Sequence, residues 1–256
     1  MINNFPKIEF SIAQFDEAFK VIHSFLNPSK NYWDWSDYIY TSYPELKRKI
    51  KNIPKEKMRR GIEYAFFREH FEREKSILEK KRKVFQNEWD KINNRSMITL
   101  SKIVEQDWPK KDILIQARLS LNPICPRYIK TRTFDIFYRK STEDMKGIAI
   151  HELLHFIYFE KWKKVFPKTK PREFDSPYLV WHLSEMVPKI LLNDERIQRI
   201  HKYKFNSYRV YEQAKIEEKP LLSYLQSFYN ERTDFKDFLK ESWLFVQRHK
   251  SEIKKL

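Results

Sequence analysis

Glycine occurs only twice among the 256 residues, at Gly61 and Gly147, and this scarcity constrains the fold more than any other feature. Tight two-residue β-hairpins need residues with positive φ, glycine above all, so the chain is poorly suited to an all-β architecture. Lys, Glu and Leu favour helices and are abundant, and aromatic residues make up 16% of the sequence. We therefore predict a mostly helical α+β protein whose length suffices for a substantial core.

Hydrophobic periodicity divides the chain into a helical N-terminal region, residues 1–98, and a second region, residues 99–256, which carries a small sheet. Residues 55–93 are predicted to form one long amphipathic helix, because apolar side chains recur along one of its faces. Apolar and polar side chains then alternate, which predicts two strands, at residues 113–121 and 133–139. The second region is therefore predicted to open with a small sheet, which precedes the helices described next.

Two helices are predicted after the strands. Ser141 can cap the first of them, and Asp144 lies in its first turn, where a negative charge is favourable. Ser176 and Pro177 predict the start of the second, with a capping hydroxyl followed by proline at the first helical position. Pro188 is expected to kink or end that second helix.

The charge and cysteine content limit the environment and the partners. Lys and Arg outnumber Asp and Glu by 51 to 35, a formal charge of +16. Such a surplus attracts nucleic acid, acidic proteins or anionic lipid, although basic residues mixed with acidic ones are also typical of a solvated surface. The single cysteine, Cys125, excludes an internal disulfide and favours a reducing compartment. We expect a soluble, cytoplasmic protein, since the start does not resemble a signal peptide and no run approaches the ~20 apolar residues that span a bilayer.

The first of the two helices contains the sequence His151-Glu152-Leu153-Leu154-His155. Four residues of α-helix turn by about 400°, so the two histidines lie one above the other on a single face and can bind one Zn²⁺. Glu152, turned by about 100° from His151, can reach a metal-bound water without being a ligand. Zinc lowers the pKa of that water, and the carboxylate accepts its proton during attack on a carbonyl. The alternative is a pair of core histidines bonded to neighbouring groups, with Glu152 in an ion pair.

The stretch from Ile148 to Ile157 resembles the extended motif of the zincin metallopeptidases. The resemblance covers roughly residues 110–200 and little of the N-terminal region. It implies that residues 99–256 form a zincin-like metallopeptidase domain, a zinc-dependent peptidase that hydrolyses a peptide or protein substrate with Glu152 as general base. It also implies that the strand at Thr133–Arg139 forms the sheet edge that pairs with the extended substrate.

A catalytic zinc of this type needs a third protein ligand and an open fourth position. The resemblance to the gluzincin branch, which takes a glutamate from a second helix, points to Glu185, thirty residues after His155. That branch often has an aspartate four residues after the glutamate, whereas this chain has Lys189. His182, one helical turn before Glu185, is the competing ligand and would resemble other zincins, including proteases that act on DNA-bound proteins.

Hydrolysis of an acyl group also calls for a hydrogen-bond donor to the developing oxyanion. His201 and Tyr208, with Tyr203 and Tyr211, follow the Glu185 helix in a polar and aromatic segment, and they are the candidates for this role. Asn193 or Asp194 is expected to orient a metal-binding histidine.

A second hypothesis belongs to another class of protein. The chain would be a basic, helical nucleic-acid-binding protein with a structural or vestigial zinc site, or a protease recruited to nucleic acid. Two features would favour it: a continuous basic face from the lysines around Lys80 to those at 161–164 and 168–170, and a steep fall in DNA affinity with salt. Glu152 argues against it, since a structural zinc site is normally closed by four protein ligands and has no use for a general base.

Overall fold

The computed structural model describes residues 5–28, 34–54, 56–110 and 114–256. The protein is mostly helical with a small mixed sheet, as the sequence predicts. Its contacts divide it into two units, which we call the helical unit (Met1–Pro6, Ile92–Ile113 and Lys146–Leu256) and the sheet unit (Lys7–Lys91 and Leu114–Met145). None of the helices in the described part of the chain has both the length and the apolar composition that a bilayer crossing requires.

In its described residues, the sheet unit combines four strands with four helices. In chain order its elements are β1 (Lys7–Ile12), α1 (Phe15–Leu26), α2 (Ser36–Ser42), α3 (Pro44–Ile50), α4 (Glu56–Asp90), β2 (Leu114–Ser120), β3 (Arg127–Tyr128) and β4 (Thr133–Phe137). The strand order is β1-β2-β4-β3; β1 and β4 are both parallel to β2, and the two-residue β3 is antiparallel to β4. The predicted strand at 113–121 therefore exists as β2, and Ile113 lies outside the described residues.

Strand β1 corrects the prediction that residues 1–98 are entirely helical. Ile8 and Phe10 are buried while Glu9 between them is exposed, which is the alternation of a strand in a run of only six residues. The strand pairs with β2 more than a hundred residues later in the chain, and no local pattern reveals such a pairing. For the same reason the contacts do not divide the chain at the predicted boundary between residues 98 and 99.

Helix α4 confirms the long amphipathic helix predicted at 55–93, although it ends at Asp90 and Lys55 lies outside the described residues. The side chain of Gln86 on α4 covers the backbone of β1, the strand at one edge of the sheet. The amide nitrogen of Gln86 donates to the carbonyl of Ile8 at 3.0 Å, and its amide oxygen accepts from the N–H of Phe10 at 2.9 Å. These bonds occupy polar groups that an edge strand otherwise leaves open to other chains.

Strand β4 does not form the substrate-pairing sheet edge expected at residues 133–139. All five of its residues are buried, and it lies between β2 and β3. Beyond the short pairing with β3, its next backbone donors are also engaged: the N–H of Asp135 donates to the carbonyl of Pro126 at 2.8 Å, and that of Phe137 to Sγ of Cys125 at 3.3 Å. The expectation of an accessible edge along this strand is therefore wrong.

The helical unit contains α5 and all of the elements that follow Met145. Its elements are α5 (Asn93–Val104), α6 (Thr142–Val165), a 3₁₀ turn (Pro171–Phe174), α7 (Leu179–Leu192), α8 (Glu195–Gln198), α9 (Arg209–Gln213), β5 (Lys215–Ile216), β6 (Lys219–Pro220), α10 (Leu221–Glu231), α11 (Phe235–Arg248) and α12 (Lys250–Ile253). The first turn of α6, before Lys146, belongs to the sheet unit. Aromatic contacts pack α6 against α11, with ring centroids 6.4 Å apart for Tyr158 and Phe235 and 5.2 Å apart for Trp162 and Trp243. A dense core thus fixes the helix that carries the two-histidine motif.

The predicted start is confirmed for α6 but not for α7. Ser141 caps α6 as predicted, since its hydroxyl oxygen accepts from the N–H of Asp144 at 3.0 Å. Helix α7 begins at Leu179, two residues after the predicted start at Pro177, and continues through Pro188 to Leu192. Pro188 therefore does not end the helix; nearly every residue of α7 is buried, and this packing outweighs the loss of one backbone donor.

Candidate metal centre

His151 and His155 occupy the same face of α6, as their four-residue spacing predicts. Their ring centroids are 4.7 Å apart, and their Nε2 atoms approach to 2.9 Å. Helix geometry alone brings the two rings to one face, but the directions of the rings depend on the packing around them. Here the two Nε2 atoms lie close enough together to bind the same ion.

Glu185 of α7 supplies the third donor atom. Its Oε2 lies 3.7 Å from Nε2 of His151 and 3.7 Å from Nε2 of His155, so it is equidistant from the two imidazoles. At that distance neither imidazole makes a good hydrogen bond to this oxygen. The three ligand atoms all lie within 4.8 Å of one another, and they form the group in the described residues that could hold a metal ion.

The spacing of the three atoms fits a tetrahedral zinc ion. With zinc-to-ligand bonds of about 2.0–2.1 Å, tetrahedral geometry puts neighbouring donors about 3.3–3.4 Å apart. The three observed separations, 2.9, 3.7 and 3.7 Å, bracket that value. Two imidazole nitrogens and one carboxylate oxygen are a donor set of catalytic zinc sites, in which the fourth position is left for water or substrate.

Burial differs among the residues of this group and defines its accessible side. The side chains of His155 and Glu185 are 0% and 1% exposed, whereas that of His151 is 25% exposed. Glu152 is buried next to His151 on α6. Two buried carboxylates beside two imidazoles are costly to desolvate, and a divalent cation would offset that cost.

His182, the competing third ligand, is not part of the donor group. Its Nδ1 lies 2.7 Å from the hydroxyl of the buried Tyr211, and the two residues form a hydrogen-bonded pair. Burial lowers the pKa of His182 to about 4, against the opposing effect of the Glu185 carboxylate. His182 is therefore neutral at pH 7 and serves as a buried partner of Tyr211.

The lowered pKa of His182 predicts a pH dependence of stability. In the unfolded chain His182 takes up a proton below about pH 6.5, whereas in the folded protein it stays neutral to about pH 4. Its contribution is therefore complete above pH 6.5 and is lost as the pH falls towards 4. In metal-free protein, the free energy of unfolding should fall more steeply in wild type than in His182→Gln, by up to about 1.4 kcal/mol per pH unit. Urea titrations at several pH values measure this; equal slopes in the two proteins would contradict the assignment.

The segment after α8 is attached directly to the backbone that carries Glu185. The hydroxyl of Ser207 donates to the carbonyl of Glu185 at 3.0 Å, and the N–H of Ser207 donates to Oε1 of Glu212 at 2.9 Å. Lys189 forms an ion pair with Glu212. Lys189, the residue at which the sequence departs from the gluzincin pattern, thus anchors this segment beside the third donor.

Gly147, one turn before His151 on α6, lets the same segment approach that helix closely. A Cβ atom at Gly147 would lie 2.7 Å from Cε1 of Tyr203, closer than side-chain carbons approach one another. The ring of Tyr203 is in turn stacked on that of His201, with centroids 5.3 Å apart. The second of the chain's two glycines is therefore explained by the contact between Tyr203 and the helix.

Replacing Gly147 by Ala should destabilise the protein. The added methyl group would push the Tyr203 ring off the helix, and overpacking of this kind costs about 1–3 kcal/mol, which exceeds the gain of up to about 1 kcal/mol in helix propensity. The matched control is Gly61→Ala on α4, where, apart from its chain neighbours and its own helix backbone, no atom of the described residues lies within 4 Å of the added Cβ. Urea unfolding of the two variants should show a lower midpoint for Gly147→Ala and an unchanged or higher one for Gly61→Ala; lower midpoints in both would contradict this explanation.

The remaining predicted site residues lie in the segment that follows α7. His201 is buried against Tyr203, and Tyr208 lies next to Trp181, with centroids 6.4 Å apart. Neither belongs to the group of donor atoms, and their role as oxyanion donors stays a prediction. Gly147 and Trp181 are not among the residues predicted for the site; a glycine inside a helix, one turn before His151, is the available signal for the first.

The hydrogen bonds of Asn193 and Asp194 described below go to partners other than His151 and His155. The amide of Asn193 donates to the carbonyl of Phe205 at 2.8 Å, and Asp194 caps α8 and pairs with Arg196. Asn193 thus fixes the segment that carries Tyr203 and Ser207. These hydrogen bonds and this ion pair stabilise the fold around the donor group.

The basic clusters of the nucleic-acid hypothesis belong to different units. The lysines around Lys80 lie in the sheet unit, and those at 161–164 and 168–170 lie in the helical unit. Some of these lysines make hydrogen bonds within their own unit. Lys81 donates to the carbonyl of Lys140 at 2.9 Å, and Lys161 donates to that of Glu105 at 2.9 Å. Each cluster thus stabilises its own unit in part.

The candidate metal centre is defined by two helices of the helical unit and by the segment attached to them. His151 and His155 come from one helix and Glu185 from the other, so no donor depends on the sheet unit. Comparisons of this chain with models of known protein families, with curated proteins and with solved structures find no match.

Proposed function

We propose that this protein is a zinc-dependent metallopeptidase. The observation that supports the proposal most strongly is the convergence of His151 Nε2, His155 Nε2 and Glu185 Oε2, at separations of 2.9–3.7 Å, beside a buried Glu152. A structural zinc site normally takes four protein ligands, whereas this group offers three and so leaves a position for water or substrate. His151, His155 and Glu185 would hold the metal.

The proposed reaction is the addition of water to an amide carbonyl, followed by loss of the amine. Zinc bound to the three donors would supply Lewis acidity and lower the pKa of the attacking water. Glu152 accepts the proton of that water and passes it to the leaving amine, which is the work of a general base and then a general acid. The burial of Glu152, His155 and Glu185 keeps bulk water away from this proton transfer, and electrostatic interactions are stronger there as a result.

The substrate in this proposal is a peptide or protein segment. Peptide bonds are the usual target of this set of residues, and a small amide would meet the same chemistry. The substrate would enter beside His151, the most exposed of the three donors. Strand β4 pairs with β2 on one side and β3 on the other, so we do not assign substrate binding to it.

The direct test is cleavage of an unfolded protein. Purified chain carrying one zinc per molecule should generate new N-termini from reduced, denatured casein, detected by mass spectrometry. Incubation with 1,10-phenanthroline should stop the reaction, and added Zn²⁺ should restore it, because the three donors hold the ion reversibly. Absence of cleavage by the zinc-loaded protein, tested on casein and on a mixed peptide library, would contradict the proposal.

A further inference from the structure

An open groove in the sheet unit lies between α1 and the beginning of α4. Its volume is about 540 Å³, which falls within the range of roughly 300–1,000 Å³ that small-molecule sites occupy. Its lining consists of Asp16, Phe19, Lys20, Lys57, Arg60, Gly61 and Tyr64. The groove therefore combines three cationic side chains with two aromatic ones, and it shares no residue with the candidate metal centre.

The cationic side chains of this groove are not neutralised within the described residues. Lys20, Lys57 and Arg60 are exposed, and none of them forms an ion pair with another described side chain. The one acidic lining residue, Asp16, accepts a hydrogen bond from the hydroxyl of Tyr64 at 3.1 Å. Three positive charges and one negative charge favour an anionic ligand, and phosphate groups bind well to Lys and Arg together.

Gly61 is the second indication of a ligand. It lies inside α4, where glycine is less favourable than alanine, in a chain that has only one other glycine. Beyond its own helix, no described atom lies within 4 Å of the place where a Cβ would stand, so packing does not explain the missing side chain. This is the reverse of Gly147, which Tyr203 requires. A glycine facing an open groove lets a ligand approach the helix backbone closely.

The aromatic side of the groove indicates the rest of the ligand. Phe19 is buried, and the ring of Tyr64 stands edge-on to it, with centroids 5.0 Å apart. Tyr64 is 39% exposed, which leaves part of its ring available for a flat group. We infer that this groove binds a nucleoside diphosphate, with the phosphates at Lys20, Lys57 and Arg60 and the base against Tyr64.

The experiment is isothermal titration calorimetry of the full chain with adenosine diphosphate and with inorganic pyrophosphate, both without divalent cations. Lys57→Glu/Arg60→Glu should weaken adenosine diphosphate binding by about tenfold or more, because it removes two charged donors. The control is Lys80→Glu/Lys83→Glu, which makes the same charge change on exposed residues of the same helix outside the groove. It should alter the affinity by less than about threefold, as expected for screened charges at a distance.

Two further measurements complete the test. Gly61→Leu fills the groove without a change of charge, so it should weaken binding while the melting temperature stays the same or rises by about 1–4 °C. Adenosine diphosphate should bind more tightly than pyrophosphate if the base contacts Tyr64. The inference is overturned if adenosine diphosphate does not bind at millimolar concentration, if both double variants lose affinity equally, or if pyrophosphate binds as tightly.

Discussion

Replacing Glu152 by Gln is expected to reduce peptide hydrolysis by about 10²–10⁴-fold, the usual contribution of a general base. The amide has nearly the shape of the carboxylate, but it cannot accept the proton of the attacking water. The three donor atoms do not include Glu152, so the variant should keep its zinc. Initial rates of casein cleavage, with zinc content measured on the same samples, test both expectations.

The control for this variant is Glu143→Gln, the same substitution at an exposed position in the first turn of α6. It should leave the cleavage rate and the zinc content unchanged within about twofold, since surface changes have small effects. A Glu152→Gln protein that cleaves at the wild-type rate would remove Glu152 from the mechanism. One that loses its zinc would make Glu152 a part of the metal site itself.

The largest loss of stability is expected from Arg118→Leu in the sheet unit. Arg118 on β2 and Asp135 on β4 are register partners, and Nε of Arg118 donates to Oδ1 of Asp135 at 2.8 Å. Asp135 is fully buried, and burial raises the pKa of its carboxyl group, while the hydrogen bond from Arg118 opposes that rise. Removing the arginine leaves a buried carboxyl group without its main partner, at a cost of about 3–5 kcal/mol. Urea unfolding followed by circular dichroism measures the change.

The double variant Arg118→Leu/Asp135→Leu tests which of two causes explains the loss of stability: an Asp135 carboxyl group left without its partner, or the loss of the arginine's own packing contacts. With both polar groups removed, no buried charge is left, so the double variant should be more stable than Arg118→Leu alone. A double variant that is less stable than the single one would show that the apolar replacement does not fit between the strands. It would then contradict the explanation by an unpaired carboxyl group.

The parts of the fold that could be predicted depend on local patterns. The long helix α4 and the cap of α6 by Ser141 follow from periodicity and from side chains within a few residues of one another. The position of His151 and His155 on one face is likewise a consequence of helix geometry. Strand β1 could not be assigned in this way, because its partner β2 is distant in sequence and its six residues give too short a pattern.

In the candidate site, too, only the features that depend on local sequence spacing could be predicted. The two histidines are four residues apart, but the choice between Glu185 and His182 depends on how α7 is rotated in the fold, which sequence spacing does not fix. The engagement of His182 by Tyr211 depends on a contact between residues 29 positions apart. The ion pair of Lys189 with Glu212, and the approach of Tyr203 to Gly147, depend on tertiary packing as well. Gly147 could have been suspected, since a glycine inside a helix usually has a packing reason.

The most direct test of the central claim is the zinc content of the purified protein, measured by elemental analysis for wild type, His155→Ala and Glu185→Gln. We expect about one zinc per chain in wild type and a large loss in both variants, because each removes one of the three donors found among the described residues. His182→Gln, which changes a residue outside the donor group, should retain the metal. Wild-type protein that binds no zinc even when zinc is supplied, or a Glu185→Gln variant that retains it fully, would contradict the proposed centre.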